Sequence, residues 1–223
     1  MTFRVFIQAR MSSRRLPGKV LAPLAGRPMI AWVVGRVAEV VSRSRIVVAT
    51  SVSPSDDPLA AYAGQLGVGV FRGDLDNVVK RFQDCLQAHP ADWLVRICAD
   101  SPLLDPGLIG LLAGSLDSGV DLVTNVQTRT FPRGQSVEFI NARTFAALDA
   151  AAMAPEEREH LTQVFYRHPQ RFKIVNIAAR DPALASLSHV VDTLEDLRAI
   201  EELLRSGPLP SVTAACVPGA TLS

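Results

Sequence analysis

Eleven consecutive residues, ARMSSRRLPGK from Ala9 to Lys19, hold four cations and no acid. Arg10, Arg14, Arg15 and Lys19 supply positive charge, Ser12 and Ser13 supply hydroxyls, and Gly18 permits a tight backbone turn. The segment directly follows FRVFIQ, a short β-rich run, so Ala9 and its successors fall at the carboxyl end of a first strand. In a parallel sheet that is where nucleotides bind. A cluster of this kind neutralises a triphosphate and its leaving group. It is not a Walker A loop, because no glycine stands five residues before Gly18-Lys19 and no Ser or Thr follows, and it is not G-x-G-x-x-G. The alternative is a solvated basic turn.

Two aspartates suit the same chemistry. Asp100 follows WLVRICA and precedes Ser101-Pro102; Asp192 follows SHVV and precedes a helix. Nucleotidyl transfer calls for a hard cation bridging phosphate oxygens, and Mg²⁺ takes one or two carboxylates with phosphates and waters. Each aspartate also has a plain structural reading. Asp100 fits an Asx turn before Pro102, and Asp192 merely flanks a helix whose Thr193 and Asp196 form a capping-box pattern. No spacing rule links residues so far apart.

These groups must be carried by alternating strands and helices. Phe3–Gln8, Arg45–Thr50, Val68–Phe71, Asp92–Ala99 and Asp121–Asn125 read as strands. Met29–Val41, a segment from Asp57 to before Gly67, Asp76–Ala88 and Pro106–Leu116 read as helices. The alternation predicts an α/β fold, with a mostly parallel Rossmann-like sheet covered on both faces. TRTFPRGQSVEFIN (128–141) reads as a hairpin insertion at about 125–140. Helices at Ala142–Ala152 and Glu156–Tyr166, a strand at Phe172–Ile177, a closing strand at HVVDT and a last helix through Leu204 follow. One domain is expected over 1–205, with a loose tail at 206–223.

The 223 residues are 48% hydrophobic and 20% charged, enough to bury a large core and too apolar for disorder. No apolar run approaches the roughly 18 residues of a membrane span, and no signal-peptide pattern opens the chain; a cytoplasmic protein is expected. Cys85, Cys98 and Cys216 form neither a disulfide framework nor a zinc pattern, and Cys98 reads as a core residue. The net charge of +1 conceals an asymmetry, since seven basic residues precede the first acid, Glu39. A basic opening on an acidic remainder suits a polyanion pocket. With two Trp and two Tyr and no basic-aromatic interleaving, nucleic acid is disfavoured as a partner.

The run IQARMSSRRLPGKVLAPLAGRPMI resembles the opening of the sugar cytidylyltransferases. Within them it is most similar to the spore coat polysaccharide biosynthesis protein F (SpsF) group, with the acylneuraminate and 3-deoxy-manno-octulosonate cytidylyltransferases more distant. The resemblance continues in VATS (48–51), DDP (56–58), VFRG (70–73), RICADSPLLDP (96–106), FPRGQSVE (131–138), REHLT (158–162) and VDTLEDL (191–197). Where that family has Gly-Ser-Thr-Arg, this chain has Ser12-Ser13-Arg14-Arg15.

The resemblance implies a glycosyltransferase-A type fold and a reaction of CTP with a sugar acid, giving a CMP-sugar and pyrophosphate. It implies that Asp100 and Asp192 bind Mg²⁺, with Arg10, Arg15, Lys19 and Asp100 carrying the catalysis. Ala9, Ser12, Ser13 and Gly18 would contact nucleotide, and Arg81, in DLDNVVKRFQD, the base. Arg133, Gln135, Glu138, Glu159 and His160 would lie near the acceptor. It also implies a homodimer, with contact near 125–140. Three alternatives stay open: nucleotidyl transfer to a sugar or polyol phosphate, a glycosyltransferase using a nucleotide-sugar (DLD, 74–76, matches D-x-D formally), and a non-catalytic nucleotide binder.

Overall fold

The computed structural model describes residues 1–207, 211–213 and 221–222. Its strands in chain order are β1 (Phe3–Gln8), β2 (Pro23–Leu24), β3 (Arg27–Pro28), β4 (Ile46–Ser51), β5 (Gly69–Gly73), β6 (Trp93–Cys98), β7 (Leu122–Thr124), β8 (Glu138–Asn141), β9 (Ile174–Asn176) and β10 (Thr221–Leu222). The helices are α1 (Met29–Ala38), α2 (Asp57–Gln65), α3 (Val78–Ala88), α4 (Gly107–Ala113), α5 (Ala142–Ala146), α6 (Pro155–Glu159), α7 (Gln163–Arg167) and α8 (Leu194–Arg205).

Alternation along β1 sets the layers. Val5 and Ile7 join one apolar cluster with α1, α2, α4 and α8, while Phe6 joins a second with α3, α5 and α7, as a pleat of period two requires. β4 is buried at every position, the signature of a strand covered on both faces. The sheet order is β10-β9-β7-β8-β6-β1-β4-β5. β5, β4, β1 and β6 run parallel, and β8 lies antiparallel between β6 and β7. From β1 the chain builds outward to β5, then returns to place β6 on the other side of β1. This reversal opens a crevice at the carboxyl ends of β1 and β6. β2 and β3 form a separate two-stranded ribbon.

Of the expected hairpin at 125–140, β8 is the strand; its antiparallel partner β7 is the strand expected at Asp121–Asn125, in register Leu122↔Ile140, Val123↔Phe139 and Thr124↔Glu138. The pair belongs to the main sheet, and residues 125–137 connect its strands. Asn125 closes that connection, donating to the Gln135 carbonyl at 2.7 Å and accepting from the Val137 amide at 3.0 Å. Phe131, Gln135, Val137 and Phe139 are buried, so most residues expected at a subunit contact lie inside this chain.

The closing strand expected at HVVDT does not form. An isolated bridge joins Arg133 to Ser188, just before it; within it the His189 amide donates to the Arg133 carbonyl and the Val191 amide to the Asp100 carbonyl. Two non-strand partners take the backbone groups a strand would need. The helices expected at 142–152 and 156–166 are shorter. The Asp149 carboxylate accepts from the Ala151 and Ala152 amides and turns the chain, and His160, at φ −108° and ψ 88°, separates α6 from α7. Of the segment expected as a tail, Ser211 and Thr213 hydrogen-bond Asp105, at 2.8 Å and 3.0 Å. Thr221–Leu222 pairs with β9. Cys216 lies outside the described residues.

Gly134 joins the 131–137 loop to the stretch leading into Asp192. It has φ +90°, and a Cβ there would stand 2.8 Å from the His189 carbonyl oxygen. Gly134→Ala is expected to cost about 1–3 kcal/mol, visible by calorimetry as a lowered Tm; an unchanged Tm would show that this approach is not tight.

Candidate active site

The basic loop is shaped by its own backbone. Gly18 adopts a left-handed conformation, φ 74°, and its amide donates to the Met11 carbonyl at 2.8 Å, a carbonyl also used by Ser13. The Met11 amide in turn donates to Asp56 Oδ1 at 2.8 Å. Asp56, wholly buried, accepts further bonds from the Thr50 hydroxyl at 2.9 Å, the Ser51 amide at 3.0 Å and the Ser51 hydroxyl. Burial opposes ionisation of Asp56, but the bonds from Ser51, Met11 and Thr50 together outweigh it and hold the carboxyl below its ordinary range. One carboxylate thus pins the start of the basic loop to the end of β4.

Lys19 closes the loop at the mouth of the crevice. Its side chain is buried, and Nζ donates to Asp192 Oδ1 at 2.9 Å, to the Val191 carbonyl at 2.8 Å and to Asp100 Oδ2 at 3.3 Å. Arg15 reaches the other Asp192 oxygen at 2.7 Å, and Arg133 approaches it at 3.6 Å. Asp192 is set by the start of α8. The Asp196 carboxylate accepts from the Asp192 and Thr193 amides, while the Thr193 hydroxyl accepts from the Asp196 amide. Burial raises the Asp196 carboxyl, but those backbone bonds win and hold it low. Asp100 and Asp192, joined by no sequence rule, therefore converge on one ammonium.

This pair of carboxylates suits a hard divalent cation. Both are oxygen donors beside an open cleft, and Mg²⁺ sites of nucleotide enzymes use one or two such carboxylates plus phosphate oxygens. Lys19 Nζ provides the positive charge between them here.

Two adjoining cavities flank the loop. The first, about 430 Å³, is lined by Ala9, Arg10, Ser13, Arg15, Lys19, Asp100, Asp192, Glu159 and His160, together with Gln8, Arg96 and Cys98. The second, about 590 Å³, shares Arg10, Arg14 and Glu159 with it and adds Ser12, Asp74, Asp76, Asn77 and Arg158. Arg10 stands at the boundary, paired with Glu159 at 2.9 Å. The bond from Arg10 holds the Glu159 carboxyl below its usual range.

Four expected contacts are placed differently. Arg81 lines neither cavity: it is wholly buried, Nη1 donates to the Asp74 carbonyl at 3.1 Å, and Nε and Nη2 have no partner. Burial, helped by nearby Arg10, pushes it down to about 10. Gln135 is an internal strut, accepting from the Asp105 amide at 2.7 Å and donating to the Leu103 carbonyl at 2.8 Å. Glu138 is buried between Arg96 and Tyr166. Arg133 lies outside both cavities and faces Asp192. Conversely, Cys98, expected in the core, lines the first cavity, and burial raises its thiol to about 11. Sequence reasoning did not single out Asp56 and Arg96. Asp56 sits in the DDP motif, and Arg96 is the one charge within WLVRIC.

Comparison with known proteins shows the family. Residues 5–196 match the sequence model of the family described as Cytidylyltransferase. The chain is 31% identical over 217 residues to the spore coat polysaccharide biosynthesis protein SpsF of Bacillus subtilis, covering 94% of this chain and 89% of that protein. It is 28% identical over 249 residues to the 3-deoxy-manno-octulosonate cytidylyltransferase of Anaeromyxobacter sp. strain Fw109-5, covering 92% and 97%. The solved structure of a cytidylyltransferase from Leptospira borgpetersenii superposes with a TM-score of 0.90 at 26% identity, covering 96% of this chain and 92% of that one. With a basic loop, two convergent aspartates and a family match across most of its length, the chain belongs to the cytidylyltransferase family.

Proposed function

We propose that the chain transfers a cytidylyl group from CTP to a sugar acid, forming a CMP-sugar and pyrophosphate. The observation that carries this reading is the meeting of Lys19, Asp100 and Asp192, drawn from three distant segments, beside Arg10 and Arg15. The triphosphate lies along the Ala9–Lys19 loop, where Arg10, Arg15 and Lys19 offset its charge. Cytosine and ribose occupy the second cavity beside Asp74–Asn77. Arg81, bonded to the Asp74 carbonyl, supports that wall from behind.

The acceptor enters the first cavity near Glu159 and His160. Its anomeric oxygen attacks the α-phosphorus in line, forming the new P–O bond as the bond to the bridging oxygen breaks. Pyrophosphate departs, and the hydroxyl proton passes to water in the open cleft. Arg10, Arg15 and Lys19 face charge that grows on the transferring and leaving oxygens. Asp100 and Asp192 would hold Mg²⁺, which when bound supplies Lewis-acid stabilisation at the transferring phosphate. Similarity to a spore coat polysaccharide protein supports use of the product in polysaccharide assembly. The DLD triplet does not favour a nucleotide-sugar donor, because Asp74 Oδ1 is engaged by the Asp76 and Asn77 amides as a turn former.

The test is a thermal-shift and pyrophosphate-release screen of the four NTPs with Mg²⁺, alone and with a panel of sugar acids. A shift with CTP and pyrophosphate release with one acid is the expected result. Stabilisation by nucleotide-sugars but not by CTP would overturn the reading.

A further inference from the structure

We infer that Arg96 is the residue that reads an anionic group, a carboxylate or a phosphate, on the acceptor. The inference deepens the cytidylyl-transfer reading and rests on it.

β6 is an interior strand whose Leu94, Val95 and Ile97 are wholly buried. A guanidinium in such a run is costly unless it is paired and used. The pleat puts Arg96 on the same face as Cys98, and β1 brings Gln8 level with Cys98. These three side chains floor the first cavity. The arginine is held from behind. Nε donates to Gln8 Oε1 at 2.9 Å, and Nη1 donates to Glu138 Oε2. The other Glu138 oxygen accepts from the Tyr166 hydroxyl, which lies 2.9 Å from the Thr124 hydroxyl. Nη2 takes part in none of these bonds, and the side chain lines the cavity.

Two guanidinium nitrogens are therefore locked to neighbouring strands while the third is offered to whatever fills the space above. Such preorganisation costs no side-chain ordering when an oxyanion arrives, and the N–H groups of the free Nη2 lie in the guanidinium plane, able to donate to a carboxylate or a phosphate oxygen. Among the described residues, the cavity's other Lys and Arg side chains are Arg10, Arg14, Arg15 and Lys19, all from the phosphate loop. The nucleotide engages that set. Arg96, rising from the sheet floor, is left for the second substrate. Glu138 is then a positioning residue for Arg96.

The experiment uses the full chain saturated with CTP. Wild type and Arg96→Gln are titrated calorimetrically with 3-deoxy-manno-octulosonate, N-acetylneuraminate, glucose 1-phosphate and, as an uncharged reference, glucose. At least one anion is expected to bind wild type more tightly than glucose does, and Arg96→Gln to weaken that anion ~10–100-fold, the loss of one or two charge-assisted hydrogen bonds. Affinity for glucose and for CTP should not change. The probes that respond tell carboxylate from phosphate recognition. If no anion outbinds glucose on wild type, or if the variant loses anion and glucose alike, the inference fails while the CTP result stands. Absence of CTP binding to wild type would instead sink the cytidylyl reading. Should Arg96→Gln fail to fold, Arg96→Lys keeps a charge opposite Glu138 without the planar guanidinium, and it must weaken the same anion.

Discussion

Lys19→Met is expected to lower kcat ~10²–10³-fold, the usual consequence of deleting one preorganised charge at the reacting centre. The methionine keeps the apolar stem that packs beneath the loop, so the sheet stays intact by circular dichroism and the loss falls on chemistry. Lys19 Nζ is the group at which Asp100, Asp192 and the Val191 carbonyl meet. Without it Asp192 keeps Arg15 and Arg133 as its close cations, while Asp100 loses its ion-pair partner. The site then loses one positive charge just where a triphosphate must enter, so KM for CTP rises together with the fall in kcat. Steady-state pyrophosphate release checks both constants. Turnover close to wild type would remove Lys19 from the machinery.

Asp56→Ala is expected to act through architecture. It leaves the Ser51 and Met11 amides and two buried hydroxyls without their acceptor, and orphaned buried donors cost about 1–3 kcal/mol each before relaxation and water compensate. A net loss of about 2–4 kcal/mol is expected, which for a chain of this size lowers Tm by roughly 5–15 °C. CTP affinity falls with it, because the Met11 end of the basic loop is no longer tied to β4. The pH dependence has a definite sign. Asp56 is held below its ordinary 3.8 in the fold, so its stabilisation is complete above that value and is lost as pH falls through the folded value. Wild type should therefore lose stability as pH drops below about 4, and Asp56→Ala should show a shallower loss. Asp105 and Asp196, also held low, keep the slope from vanishing. Urea denaturation from pH 3 to 7 measures this, and parallel curves for the two proteins would refute it.

The local features of this chain were readable because they rest on local physics. β1, β4 and β6 announce themselves as short apolar runs, the Thr193–Asp196 box marks the start of α8, and the charge density of Ala9–Lys19 marks the loop. What could not be read depends on long-range pairing. β8 inserts antiparallel between β6 and β7, and that insertion buries Glu138 against Arg96 and Gln135 against Leu103 and Asp105. A linear reading sees two polar residues near a turn and offers them to a sugar. Arg81 shows the same limit: the resemblance offers it to the base, and the fold buries it outside both cavities. Asp100 and Asp192 were joined by resemblance alone, and only the folded crevice shows the lysine that holds them together.

The pairing of three of the four phosphate-loop cations has one more consequence. Arg10 rests on Glu159, Arg15 on Asp192, and Lys19 on Asp100 and Asp192, so at these three the positive charge of the cleft is already countered. A small anion such as inorganic phosphate has little to gain there, because it would break one internal contact to make one external contact. A triphosphate displaces several at once on a single tether, and its later contacts form at high effective concentration. On the proposed reaction, discrimination between CTP and its shorter breakdown products is expected to follow from a chelate effect imposed by internal competitors, without any pocket shaped to count phosphates.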